Sequence, residues 1–330
     1  MTSNSNKLVS VVMPVFNSEK FVKEAIESIL NQTHTLFELI IVNDGSTDRT
    51  DLIIREYKDP RIKHVNNSIN KGVVSTLNEG LLLSKGKYIA RMDADDIALP
   101  TRLAKQVDFL ENHPEVKLCG TRATAIDESG KQIVKLNRPL DHEKIKVFNL
   151  FRNAFIHPSI MADAELLKTI GFAEDYKYAE DYYAFSQFTM HYKVANLKER
   201  LLLYRLHNES ITSKKNKEMI ESELKTITYL FSFLFDVVKP ENMQLHHMLL
   251  RPSALPLSVE DIHHHLLQIF DANKTKQIFN QDTLVKQLQK EWFRYLYKNK
   301  IANALQLYLS SPLVNFKNFA PEHFFKLIFS

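Results

Sequence analysis

Three carboxylates end the run Lys87-Tyr88-Ile89-Ala90-Arg91-Met92-Asp93-Ala94-Asp95-Asp96, where a short apolar stretch gives way abruptly to acid. Alternation of Tyr88, Ala90 and Met92 with Ile89 and Arg91 reads as a strand. Residues two apart in an extended chain point the same way, so Asp93 and Asp95 are expected on one face at the strand's end. Two carboxylates aimed at one point repel unless a cation sits between them. Mg²⁺ or Mn²⁺ suits that position, taking one or two carboxylates and filling its other positions with phosphate oxygens and water. The chemistry suggested is metal-assisted work on a nucleotide. The plain alternative is a solvated acidic turn in which Asp96 caps a following helix, Pro100 to Asn112.

The elements before this run say what holds it. Leu8 to Val15 is a near-continuous apolar, β-branched run, the pattern of a strand buried on both faces. Asn17 or Ser18 is placed to cap the helix that follows, with Phe21, Val22, Ala25, Ile26, Ile29 and Leu30 at helical spacing. Leu39 to Val42 reads as a second buried strand. It runs into the turn Asn43-Asp44-Gly45-Ser46-Thr47-Asp48, where Thr47 or Asp48 caps the helix Arg49 to Tyr57. A strand Arg61 to Val65, a polar loop Asn66 to Gly72 and a helix Val74 to Ser84 lead to the acidic strand. Such alternation predicts an α/β fold with a mainly parallel sheet, in which ligands sit outside the carboxyl ends of the strands. The clusters Pro14 to Asn17, Asn43 to Asp48 and Asp93 to Asp96 are therefore candidates for one crevice.

Beyond Gly120 the sequence predicts a hairpin, Thr121 to Asp127 with Gln132 to Leu136, and a helix His142 to Phe151. A strand Phe155 to Met161, helices Ala164 to Ile170 and Ala179 to His191, and short strands Val194 to Leu197 and Leu201 to Tyr204 follow. From about Lys214 strand signals vanish and helical periodicity takes over, as in Met219 to Val238 and Asp282 to Tyr297. Two domains are expected, residues 1–213 and a helical region 214–330. His263-His264-His265 makes a poor metal site, because consecutive helical residues do not face one point.

Composition excludes several classes. The chain has 330 residues, 44% hydrophobic and 25% charged, with a net charge of +4 that gives no case for a nucleic-acid partner. Residues 214–330 carry 15 Lys and Arg against 11 Asp and Glu, so the basic excess lies in the C-terminal third. The single cysteine, Cys119, excludes an intrachain disulfide and a cysteine-built metal site. With only 7 glycines, neither a Gly-x-Gly-x-x-Gly turn nor a phosphate-binding P-loop is present, which weighs against a dehydrogenase and a P-loop kinase. A polar start, MTSNSNK, and no apolar run of ~18–20 residues point to a cytoplasmic protein.

These segments, in this order, resemble the inverting family 2 glycosyltransferases with the GT-A fold. The resemblance rests on VSVVMPVFN at 9–17, FELIIVNDGSTD at 37–48 and NKGVVSTLNEGLLLSKGKYIARMDADD at 70–96. It continues through HPS at 157–159, AED at 179–181 and YRLHNESIT at 204–212. It implies a nucleotide-sugar donor, UDP favoured, and a glycan or lipid-linked acceptor. Pro14, Val15 and Phe16 would flank the base, with Phe16 offering an aromatic face. Asp44 would accept from the uracil N–H, and Lys71 would meet the diphosphate. Asp93 would serve the ribose or the metal and Asp95 the metal. Asp96 would support them, Arg205 would close over the diphosphate, and His207 would be a further ligand. The Mg²⁺ or Mn²⁺ ion would stabilise charge on the departing diphosphate.

Inversion needs a base on the acceptor side. Two acidic pairs follow Gly171-Phe172, and the resemblance favours Glu180-Asp181, with Asp181 as the base, over Glu174-Asp175 in the preceding loop. Alternatives are a sugar nucleotidyltransferase, which would usually carry a Gly-rich phosphate loop where this chain has PVFNSEKF, and a scaffold that binds a nucleotide sugar without turnover. The aromatic, basic segments Asn315 to Phe319 and Phe324 to Phe329 suit peripheral contact with the inner face of the cell membrane. A docking helix or a homodimer contact suits them as well, and packing is the favoured reading.

Overall fold

The computed structural model describes residues 7–207, 216–250, 258–314 and 320–328. The chain divides into two compact units, Met1–Ile145 with Asn153–Glu223, and Lys146–Arg152 with Leu224–Ser330. The expected boundary at Ser213/Lys214 lies outside the described residues.

The first unit is built on a nine-stranded sheet of order β3 (Ile62–Asn66), β2 (Phe37–Asn43), β1 (Val9–Val15), β4 (Tyr88–Arg91), β8 (Met161–Asp163), β6 (Val116–Ile126), β9 (Lys193–Arg205) and β5 (Ile97–Ala98), with β7 (Gln132–Leu136) paired to β6. The apolar, β-branched runs become β1 (Val9–Val15), β2 (Phe37–Asn43), β3 (Ile62–Asn66) and β4 (Tyr88–Arg91). All pair in parallel, Val12 opposite both Ile40 and Arg91. Parallel strands need crossovers, here the helices α1 (Val22–Leu30), α2 (Thr50–Glu56) and α3 (Val73–Leu83). Val11, Met13, Ile26, Leu39 and Ile41 fill one core with no exposure to solvent above 1%. The other half of the sheet is mixed. β5 (Ile97–Ala98), β6 (Val116–Ile126), β7 (Gln132–Leu136) and β8 (Met161–Asp163) each pair antiparallel with a neighbour, while β9 (Lys193–Arg205) runs parallel to β6.

Three local expectations need correction. The strand expected over Phe155 to Met161 starts only at Met161, in β8; His157–Ser159 before it forms a 3-10 turn. Pro158 has no N–H for a ladder, and this stretch enters the sheet's interior between β4 and β6. The two short strands after Tyr192 are one, β9. Between Leu197, which pairs with Thr121, and Arg200, which pairs with Arg122, the strand bulges, and the polar Lys198-Glu199 step had read as a break. Helix α1 starts at Val22 with no side-chain cap, so neither Asn17 nor Ser18 caps it. Asp48 does reach the start of α2, accepting from Thr50 N at 2.9 Å.

The second unit is helical: the latter part of Asn216–Phe231, then Pro240–Leu250, Val259–Lys276, Gln281–Lys298, Ala304–Ser310 and Pro321–Ile328. Leu266, Ile269, Leu288, Trp292 and Leu296 are buried in it. Arg152 forks onto the buried Glu291 at 2.8 and 3.0 Å, which ties the segment Lys146–Arg152 to this unit rather than to the sheet. The consecutive histidines do diverge, His263 stacking on Trp292 and His265 meeting the buried His246 at 3.0 Å. Among the described residues no helix is long and apolar enough to cross a membrane. The segment Asn315–Phe319 and Phe329, expected at a surface or a contact, lie outside the described residues.

Candidate active site

β4 leaves the sheet after Arg91, and Met92 N donates to Val12 O at 3.0 Å as the last sheet-like bond. The acids therefore lie in a turn leading to β5, not on an extended strand. One oxygen each from Asp93, Asp95 and Asp96 lies within 4.8 Å of the others. The shared aim is real; its cause is the turn, not the two-residue repeat.

The end of β9 fixes this turn from the other side. Arg205 N donates to Asp96 Oδ1 at 2.8 Å, and Arg205 Nε donates to Asp95 O at 2.8 Å. Asp96 is 1% exposed, and its Oδ2 has no hydrogen-bond partner among the described residues. It caps nothing, since helix α4 (Arg102–Asn112) begins beyond Thr101 without a side-chain cap. His207 Nε2 meets Asp95 Oδ2 at 2.8 Å, which puts the imidazole beside the cluster.

Arg205 itself is buried and committed to the protein. It donates to the carbonyls of Asp127 and Glu128, pairs with Glu24 Oε2 at 2.6 Å and lies 4.5 Å over the Phe21 ring. That arrangement is a joint between loops, not a cation turned toward a diphosphate. The carboxyls of Asp93 and Asp96 are pushed up by burial; Arg91 opposes this at Asp93, and neighbouring acids add to it at Asp96. A buried, unpartnered carboxylate oxygen amid two more acids fits a hard divalent cation.

The nucleotide crevice expected at the ends of β1 and β2 is laced together by side chains. Asn17 takes a left-handed φ of 48°, its N donating to Ser46 Oγ at 3.0 Å and its Oδ1 accepting from Thr47 N at 2.8 Å. Gly45 has φ 69°, and a Cβ there would sit 2.7 Å from the Ile69 carbonyl carbon, so only glycine allows this approach. Pro14 and Val15 complete β1, and Phe16 follows, 47% exposed, so it is not core packing.

Asp44 is 4% exposed and anchors the 67–72 loop. It accepts from Lys71 N at 2.9 Å, Gly72 N at 2.8 Å and Asn67 Nδ2 at 3.3 Å. A carboxylate has about four acceptor positions, so one remains for a ligand N–H. Lys71 Nζ is held on Asn67 Oδ1 at 2.9 Å.

Helix α5 (Glu180–His191) opens with a second acidic pair, and the charge of Asp93 bears on its Asp181. Asp181 Oδ2 accepts from Asn153 Nδ2 at 2.8 Å and lies 3.8 Å from His157 Nδ1. Burial raises the Asp181 carboxyl to about 6 against the pull of the Tyr182 N–H and the Arg91 charge. Glu180, 6% exposed, is raised to about 8 by burial and by the Asp181 charge. His157 is held neutral, its pKa driven well below the usual range by burial and by Arg91. The rival pair Glu174-Asp175 lies in a 3-10 turn with no buried residue.

Two residues here escaped the sequence reading as individuals, Arg91 and Asn153. Arg91 had a signal: it stands two residues before Asp93, and its guanidinium pairs with that carboxylate. Asn153 had none, since only the fold brings it to Asp181.

The arrangement has relatives. A family model described as Glycosyl transferase family 2 matches residues 10–170. A Haemophilus influenzae protein named as an uncharacterized glycosyltransferase is 37% identical over 238 residues, covering 67% of this chain and 74% of that one. The chain belongs to the family 2 glycosyltransferases. Within them, the Escherichia coli UDP-Glc:alpha-D-GlcNAc-diphosphoundecaprenol beta-1,3-glucosyltransferase WfgD is 29% identical to it over 245 residues, 70% of this chain and 94% of WfgD. The crystal structure of S. aureus TarS 1-349 in complex with UDP-GlcNAc matches with a TM-score of 0.56 at 16% identity, over 93% of this chain and 89% of that one. That likeness is one of fold, and the fold is GT-A. This transferase is thus an enzyme, and the nucleotidyltransferase and scaffold alternatives fall away.

Proposed function

We propose that this transferase moves a sugar from a nucleotide diphosphate sugar, with UDP as the favoured nucleotide, to a hydroxyl of a glycan or lipid-linked acceptor, with inversion at the anomeric carbon. The observation that carries the reading is the pairing of the Asp93-Asp95-Asp96 cluster with Asp181, an acid of raised pKa set close enough for the Asp93 charge to bear on it. WfgD's name, which specifies a UDP-Glc donor and a diphosphoundecaprenol-linked acceptor, supports the same substrate classes for this chain.

The residues divide the work. Phe16 offers its exposed ring to the base, and the open acceptor position of Asp44 suits an imide N–H. Lys71, whose Nζ now rests on Asn67 Oδ1, would turn to the diphosphate. Asp93, Asp95 and Asp96, with His207 beside Asp95, would hold Mg²⁺ or Mn²⁺. A divalent ion bound there supplies positive charge to the departing diphosphate. Asp181 takes the proton of the acceptor hydroxyl as its oxygen bonds to the anomeric carbon. The glycosidic C–O bond breaks on the opposite side, and its electron pair leaves on the diphosphate. Arg205 positions the acids rather than touching the donor.

A thermal-shift screen of UDP-, GDP- and dTDP-sugars with and without Mn²⁺ tests this reading. A ligand at ~100 times its Kd adds about 2.7 kcal/mol, an easily measured shift. A shift with a UDP-sugar plus Mn²⁺ supports the reading, and no shift with any nucleotide sugar contradicts it.

A further inference from the structure

Strand β6 places Arg122 opposite Arg200 of the parallel strand β9. The Arg200 side chain crosses β6 at that level, because its Nη2 donates at 2.6 Å to Oδ1 of Asn137, one residue beyond the Leu136 that pairs with Ala123 on the far side of β6. Arg138 adds a third guanidinium, its Nη1 donating to Asn137 O at 3.2 Å. Like charges side by side on paired strands repel and cost stability unless a counter-charge lies between them. The described residues supply none: no acid pairs with Arg122 or Arg200, and the Nε–H of each is buried without a hydrogen bond. Glu199, next to Arg200, is committed to Lys105 at 3.3 Å, and Asp141 to Lys144 at 2.8 Å.

This face of β6 leads to Asp181. Gly120, two residues before Arg122 and so on the same face, pairs with Asn196, and a Cβ there would sit 2.9 Å from the Phe155 ring. Asn196 Nδ2 donates to Pro139 O at 2.8 Å and to Ala154 O at 3.1 Å, so one amide joins the neighbour of Arg138 to the neighbour of Asn153. Asn153 in turn holds Asp181 at 2.8 Å.

We propose that Arg122, Arg200 and Arg138 bind phosphoryl oxygens, and that the group they take is the diphosphate of a lipid-linked acceptor whose glycan extends toward Asp181. This rests on the reading above, in which Asp181 faces the acceptor. Guanidinium forks match the oxygens of a phosphate two at a time, and a doubly charged group between the strands removes the repulsion of the arginine pair. The diphosphoundecaprenol-linked acceptor in WfgD's name is of this chemical class.

The test is titration calorimetry on the full chain in EDTA, with farnesyl diphosphate and inorganic pyrophosphate as probes, beside sedimentation with phosphatidylglycerol vesicles. Native protein should bind both diphosphates, and Arg122→Gln and Arg200→Gln should each weaken both by about tenfold or more. Vesicle binding should be equal in native and variants. Without ligand, Arg122→Gln should unfold in urea at or above the native midpoint, because it removes a like-charge neighbour, the opposite of what loss of a structural arginine would give. The proposal is overturned by equal diphosphate affinities in native and variants, by no binding to native, by binding of inorganic pyrophosphate alone, or by a variant loss confined to vesicles. An Arg122→Gln less stable than native overturns it as well. The glycosyl-transfer reading is tested apart from this, by UDP binding in Mn²⁺, which both variants should leave unchanged.

Discussion

The backbone N–H of Arg205 donates to Asp96 Oδ1 at 2.8 Å, joining the end of β9 to the acidic turn across 109 residues of chain. With Arg205 Nε on the Asp95 carbonyl, the same residue fixes two of the three acids. The acidic turn is therefore shaped by a strand end that itself carries no acid.

Arg205→Met should be costly to the fold. It strands the carbonyls of Asp127 and Glu128 and the Asp95 carbonyl, and bonds involving a charged partner contribute ~1.5–3 kcal/mol each. A loss of about 3 kcal/mol or more in urea unfolding is expected. A loss below ~0.5 kcal/mol would mean that the guanidinium is free to serve a ligand instead.

Asp95→Ala should remove the metal dependence of nucleotide binding while the protein stays folded, because Asp95 gives a carboxylate oxygen to the cluster and receives its other anchor through its backbone. Titration calorimetry with UDP in Mn²⁺ and in EDTA checks this. Native protein should bind at least tenfold more tightly with Mn²⁺, the variant equally in both. Equal native affinities would end the metal assignment.

Much of the candidate site was legible because its signals are local. The strands, the turn at Asp44 and the acidic run each show in ten residues or fewer, and β1 to β4 follow from apolar runs separated by helix-length segments. What escaped depends on distant chain. The turn that gathers the acids is set by Arg205, and Asp181 is seated by Asn153 and His157. Segment 157–159 looked like a strand until Pro158 met the sheet's interior. Arg152 belongs with Glu291, 139 residues away, so the unit boundary could not be drawn at a single point in the sequence.

Glu180 should make stability depend on pH. Its folded pKa of about 8 lies above the ordinary 4.5, so the folded state holds the extra proton. The stabilisation is complete below about 4.5 and is lost as pH rises through about 8. Asp181, raised to about 6, acts in the same sense at lower pH. Glu180→Gln removes the cost of a buried charge, so its melting temperature relative to native should climb between pH 5 and pH 9. Each kcal/mol appears as about 2–4 °C. A flat difference would show that Glu180 is not charged at high pH or is not buried in solution.

The central claim is that Asp181 takes the acceptor's proton, and paired substitutions test it most directly. Asp181→Asn keeps size and the contact with Asn153 but cannot accept a proton, whereas Asp175 lies in a turn with no buried residue. With a nucleotide sugar and acceptor, Asp181→Asn should lower kcat by ~10² to 10⁴-fold with donor affinity nearly unchanged, and Asp175→Asn should cost far less. Native kcat/KM should fall as pH drops through about 6. An active Asp181→Asn beside an inactive Asp175→Asn would contradict the account, as would an Asp181→Asn that no longer binds UDP.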